Sequence, residues 1–114
     1  MDFNSDFKYD LKVGQLKELE LGKIFSNSKI EVKYDLKASK TGNVFVEYQS
    51  RGKSSGLSTS ESDYYCFCFE STYHLISSKE LKNRCRKYFN TNRDVVGGDS
   101  NTSKGILLPT KELL

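Results

Sequence analysis

Glu31, Lys33, Asp35 and Glu47 have the types and spacing of a hydrolytic centre. Lys29 to Asp35 reads KIEVKYD. This strict alternation predicts a strand with Ile30, Val32 and Tyr34 on one face and Glu31, Lys33 and Asp35 on the other. Val44 to Gln49 reads VFVEYQ and predicts a second strand, with Val44, Val46 and Tyr48 opposite Phe45, Glu47 and Gln49. The intervening LKASKTGN carries a Thr-Gly-Asn turn signal, so the two strands are expected to pair as an antiparallel hairpin. With Val32 and Val46 both on the core side, the polar sets share the opposite face. Glu31, Lys33, Asp35 and Glu47 then converge as cross-strand and diagonal neighbours.

Three carboxylates and an ammonium on one face repel or desolvate one another unless something joins them. Mg²⁺ would do so, and Mn²⁺ could substitute. Such an ion takes carboxylate oxygens, waters and substrate phosphate, and it acidifies a bound water. Lys33 beside it could orient that water. The metal set expected on this basis is Glu31, Asp35 and Glu47. The plainer reading of the same residues is a solvated strand face with cross-strand salt bridges.

The elements that must position these residues follow from the rest of the pattern. Asp2 to Asp10 alternates loosely and reads as an edge strand or an arm. Leu11 to Phe25 has a helical stripe of Leu16, Leu19, Ile24 and Phe25, stopped by Ser26-Asn27-Ser28. QSRGKSSGLSTSES is polar, and Ser58 to Asp63 could open a short helix. Tyr64 to Phe69, YYCFCF, is continuously apolar, as in a central strand buried on both faces. A turn at Glu70 to Thr72 leads to a partner strand, YHLIS. Ser77-x-x-Glu80 is a capping box, and the helix after it places Leu81, Cys85, Tyr88 and Phe89 on one side. Asn90 to Gly105 reads as a long loop, ILLP as a last short strand and Thr110 to Leu114 as a tail. The expected fold is a single α/β (α+β) domain over residues 1–114, with a mixed central β-sheet flanked by helices.

Size and composition fit that reading. The chain has 114 residues, 36% of them apolar, with seven Tyr and seven Phe to build one modest core. Net charge is +3 and the pI about 8.7, compatible with a polyanionic partner without demanding one. Cys66 and Cys68 fall on one face of their strand and Cys85 in the helix. With no CxxC pair and no second cluster of ligands, a zinc site is not expected and three reduced thiols are. No stretch has signal-peptide or membrane-spanning character. The expectation is a cytoplasmic protein with no membrane partner, in the host cytoplasm if the chain is phage-encoded. The single histidine, His74, lies in a strand pattern and reads as structural.

Glu31-Val32-Lys33 matches the (D/E)xK half of the PD-(D/E)XK nuclease motif. The longer strings EVKYD, KTGNVFVEYQSRGKSSGLSTSESDYY and GGDSNTSKGILLP resemble small phage-type members of that superfamily, related in core layout to Holliday junction resolvases. The resemblance spans roughly Asp10 to Pro109. It implies a restriction-endonuclease-like core, Mg²⁺ dependence and endonucleolytic cleavage of duplex or branched DNA. Two assignments of the motif fit. In one, Glu31 and Lys33 are the pair, with a partner acid from Asp10, Glu18 or Glu20. In the other, Asp35 is the lone acid, Glu47-x-Gln49 is the motif with Gln in place of Lys, and the preceding helix supplies Glu18. The sequence has no Pro-Asp dipeptide at either place, and a non-catalytic nucleic-acid-binding module of the same fold is the alternative.

Two Gly-containing turns flank the expected hairpin. Lys40, Thr41 and Asn43 sit in one, and Arg51, Lys53 and Ser55 in the other, with Lys104 in a third polar stretch. Backbone amides in such turns, with basic and hydroxyl side chains beside them, suit contacts to DNA phosphates. GGDSNTSKG lacks the Gly-Lys-Ser/Thr ending of a nucleotide-triphosphate loop. Cutting two strands with one site per chain would call for a homodimer.

Overall fold

The computed structural model describes residues 10–13, 26–69 and 71–113. Most of the stretch read as a first helix, Glu18 and Glu20 included, lies outside them. The start of that stretch is not helical: Asp10–Val13 is a strand, β1. The remaining strands are β2 (Ile30–Tyr34), β3 (Asn43–Ser50), β4 (Lys53–Ser54), β5 (Tyr64–Phe69), β6 (Thr72–Ser77), β7 (Asp94–Gly97) and β8 (Ser103–Pro109). Helices α1 (Ala38–Thr41) and α2 (Ser78–Arg86) stand among the described residues. Single 3-10 turns stand at Gly56–Ser58, Asp99–Asn101 and Thr110–Leu113.

The strands form two four-stranded sheets, ordered β1-β6-β5-β2 and β4-β3-β8-β7. The first is mixed: β1 runs parallel to β6, β6 antiparallel to β5, and β5 parallel to β2. The second is wholly antiparallel. The fold is α+β, as the sequence predicts, but two sheets stand where one mixed central sheet was expected, because β2 and β3 pair with different partners.

The physical reason for the first sheet is β5. Its apolar run is buried on both faces, with Tyr65, Phe67 and Phe69 in the main core and Cys66 and Cys68 in a second cluster with Leu75. Only a strand whose sheet is covered on both faces can do this. The main core is shared by both sheets and α2. Val44 and Val46 of β3, Ile106 and Leu108 of β8, and Leu81 and Cys85 of α2 all enter it. Each such side chain contributes roughly 1.5–3 kcal/mol by leaving water.

Helix α2 begins where its capping box places it. Ser77 Oγ accepts the Glu80 N–H at 3.1 Å. The long loop expected over residues 90–105 is instead largely ordered. It holds β7 and the start of β8, which pair from Asp94↔Ile106 to Gly97↔Ser103. Ser58 to Asp63 holds no helix beyond the end of the 3-10 turn. Part of the LKASKTGN loop winds into α1, closed by Gly42 at φ 73. All three cysteines are free and buried. His74 is buried and stacks on Phe69, with ring centroids 4.5 Å apart.

Candidate functional site

The two chemistry-bearing strands are both present, but they do not form a hairpin. β2 pairs with β5 in the first sheet, and β3 pairs with β4 and β8 in the second. Lys29 is clamped instead to Asp63. Its N–H donates to Asp63 Oδ2 at 2.9 Å, and its carbonyl accepts the Asp63 N–H at 2.8 Å. This clamp sets the parallel register Glu31↔Tyr65 and Lys33↔Phe67. Glu31 and Lys33 therefore share the face of Tyr65 and Phe67, at the rim of the main core. Val32 falls on the other face and is 49% exposed, against the expectation that it would join Val46 inside.

Glu31 and Lys33 form an ion pair, Lys33 Nζ to Glu31 Oε2 at 2.8 Å. Ser60 Oγ donates to Glu31 Oε1 at 3.0 Å. Ser60 and Ser62 hydroxyls lie 2.7 Å apart, and Ser78 at the start of α2 donates its hydroxyl to the Ser62 carbonyl at 2.7 Å. The Lys33 ammonium and the Ser60 hydroxyl hold the Glu31 carboxyl below its ordinary range, against the opposing effect of burial. Beneath them lies Tyr65, 2% exposed, its hydroxyl enclosed beside Glu31, Ser60 and Ser62. Burial pushes that hydroxyl's pKa up. An open recess of about 500 Å³ is lined by Glu31, Ser60 and Ser62 together with Lys29 and Thr59.

The remaining predicted site residues are elsewhere. Asp35 caps the turn into α1, its Oδ1 accepting the Lys37 N–H at 3.1 Å. On an extended strand its Cα lies about 13 Å from that of Glu31, too far to share one ion directly. Glu47 alternates with Val44 and Val46 and so points away from the core, where its Oε2 accepts from Ser55 Oγ at 2.9 Å. The β3–β8 register shifts between Glu47 and Gln49, leaving Tyr48 as an extra residue: Glu47 opposes Gly105 and Gln49 opposes Lys104. Lys104 shares a face with Ile106, so this bulge puts Gln49 on the core-side face and Glu47 on the outer one. A Glu-x-Gln pair that a regular strand would keep together is thereby divided.

Among the described residues, no three His, Cys, Asp or Glu side chains come together to hold a metal ion. The Mg²⁺ site expected from Glu31, Asp35 and Glu47 does not fit this geometry.

The predicted phosphate-binding residues separate into the two ends of β3. At its start, Lys40 is exposed. Thr41 and Asn43 are tied into their own turn, with Asn43 Oδ1 also accepting from Arg93 Nη1 at 2.7 Å. At its end, Arg51 (φ 51) and Gly52 (φ 78) make the two-residue turn between β3 and β4. Arg51, Lys53 and Lys104 stand exposed there, while Ser55 is engaged by Glu47.

The reading of residue types missed Ser60, Ser62 and Tyr65. The cue was the Ser58–Ser62 run just before an apolar strand, since a parallel pairing of β5 with β2 brings that run to Glu31. Among the described residues no helix is long and apolar enough to cross a membrane. No protein-family model, no curated protein and no solved structure matches this chain.

Proposed function

We propose that the chain is a nuclease that hydrolyses DNA phosphodiester bonds, with Glu31 and Lys33 as its (D/E)xK pair. The observation carrying this reading is the 2.8 Å Glu31–Lys33 contact at the mouth of a serine-lined recess. The Glu31 carboxylate can take a proton from water as the water oxygen attacks phosphorus, once Lys33 and Ser60 turn from it to the phosphate and its basicity rises. The P–O bond to the leaving oxygen then breaks, and solvent protonates that oxygen. The Lys33 ammonium can balance phosphate charge, and the Ser60 and Ser62 hydroxyls can donate to the non-bridging oxygens. The resemblance to PD-(D/E)XK proteins supports the same reading and brings with it a restriction-endonuclease-like core and a homodimer with two such sites. Glu18, the partner acid in one of its forms, lies outside the described residues.

A second reading, a nucleic-acid-binding module without catalysis, draws on the state of the carboxylates. Glu31 is already engaged by Lys33 and Ser60, and Glu47 by Ser55. One experiment separates the two: incubation with linear, nicked, branched and single-stranded DNA, with and without added Mg²⁺ or Mn²⁺. Cleavage by wild type that Glu31→Gln loses, at unchanged melting temperature, supports the nuclease. Salt-sensitive binding without cleavage under every condition supports the binding module.

A further inference from the structure

A second recess opens between α2 and β3, of about 280 Å³, walled by Tyr48, Leu57, Ser58 and Phe89 and edged by Lys82 and Arg86. That volume lies just below the roughly 300–1,000 Å³ of pockets for drug-sized ligands and suits a single ring system. The Tyr48 ring is a fixed wall. Its hydroxyl donates to Asp94 Oδ1 at 2.6 Å, and its backbone carbonyl accepts from Ser58 Oγ at 2.8 Å. Phe89 meets it edge-on, with centroids 4.9 Å apart at 83°, and is 42% exposed.

The cations from Lys82 to Lys87 divide into two groups. Arg84 and Lys87 are bound to Glu80 and Glu112. Lys82 and Arg86, one turn apart and both on the recess, pair with no carboxylate among the described residues. An exposed aromatic face beside two uncommitted cations is the combination that takes a stacked base and its flanking phosphates.

The geometry points to this recess as a seat for one unstacked base of single-stranded nucleic acid, the base against Phe89 and the phosphates on Lys82 and Arg86. The inference rests on the nucleic-acid reading above and adds to it where a single strand lies.

The test is fluorescence anisotropy of a labelled short oligothymidylate with the full chain in EDTA, so that binding is read apart from cleavage. Phe89→Leu keeps the bulk that packs on Tyr48 and removes the aromatic face. It should weaken binding at least about fivefold with an unchanged melting temperature, since stacking is worth about 1–3 kcal/mol per base. Lys82→Ala with Arg86→Ala should lower the slope of log affinity against log salt by roughly 1.4, for two phosphates on a single strand. An oligomer of abasic sites should bind wild type and Phe89→Leu alike. Equal affinity of wild type and Phe89→Leu for oligothymidylate overturns the inference, and does so without touching the nuclease reading if wild type still cuts DNA. Preference of the recess for an acidic aromatic peptide over oligothymidylate overturns it as well. Wild type that neither binds nor cuts any DNA removes the parent reading and this one together.

Discussion

β2 and β3 carry nearly the same alternation and meet opposite fates. β3 buries its valines, Val44 at 0% and Val46 at 4% exposure, between its sheet and the rest of the core. β2 is one of the two outermost described strands of the other sheet, and its Val32 and Tyr34 remain exposed while Glu31 and Lys33 take the side toward the core rim. A period of two says that a strand has two faces. It does not say which face is inside or which strand lies alongside, and those were decided here by β5 and by the Lys29–Asp63 clamp.

The largest expected effect tests that difference directly. Val46→Asp should abolish folding, because an unpaired carboxylate in the main core costs more than about 4 kcal/mol. Val32→Asp should cost under about 1 kcal/mol. Urea melts of both variants settle it, and equal destabilisation would mean that β2 is buried after all.

Next in size is the contrast between the two glutamates. Glu31→Gln should slow DNA cleavage by on the order of a hundredfold or more, as for loss of a general base. Glu47→Gln should leave the rate within a few-fold. The reverse result would move the chemistry to the outer face of the second sheet and restore the Glu47-x-Gln49 assignment.

Gly56→Ala should destabilise by roughly 2 kcal/mol or more. At φ 51 a Cβ there would stand 2.3 Å from the Glu47 carbonyl oxygen, which forces apart the segment that holds Glu47 to Ser55. A neutral outcome in thermal melts would show that this loop has room to move.

A smaller effect is expected with pH. The Glu31, Asp94 and Glu112 carboxyls are all held below their ordinary values. Lys33 does this for Glu31. For Asp94, burial opposes it and the Asn90 N–H and Tyr48 hydroxyl prevail; for Glu112, burial opposes it and Lys87 and Tyr88 prevail. Lowered folded-state values mean stability that is complete above the ordinary carboxyl values of 4.5 and 3.8 and lost as pH falls through the folded ones. Melting temperatures between pH 2 and pH 7 should therefore drop on the acid side, and Glu31→Gln should flatten part of the drop.

Smallest of all, burial pushes the Cys66 and Cys85 thiols up to about 12, so a thiol reagent at pH 8 should label neither in the folded chain and both in urea.

What could be read from sequence was whatever a residue's own neighbours decide. YYCFCF, the capping serine and the helix after it as far as Arg86 are local facts, and the structure carries them as expected, while Tyr88 and Phe89 lie beyond the helix end in a turn. β7 was invisible because Val95 and Val96 sit among Gly, Asn and Asp. Their strand exists through pairing with β8, a contact the local pattern does not encode. The partner of β2 was hidden for the same reason. So the Glu31–Lys33 half of the candidate site was legible, whereas its neighbours Ser60 and Tyr65 arrive through a tertiary register.

The extra residue in β3 has an evolutionary side. Because the β3–β8 register skips at Tyr48, adding one residue to β8 between Lys104 and Gly105 would give Tyr48 a partner, restore plain alternation and return Glu47 and Gln49 to a common face. A single insertion or deletion thus separates two arrangements of polar groups on one scaffold. Related chains that differ by one residue at this point would be expected to display different chemistry on the same sheet while sharing almost every other position.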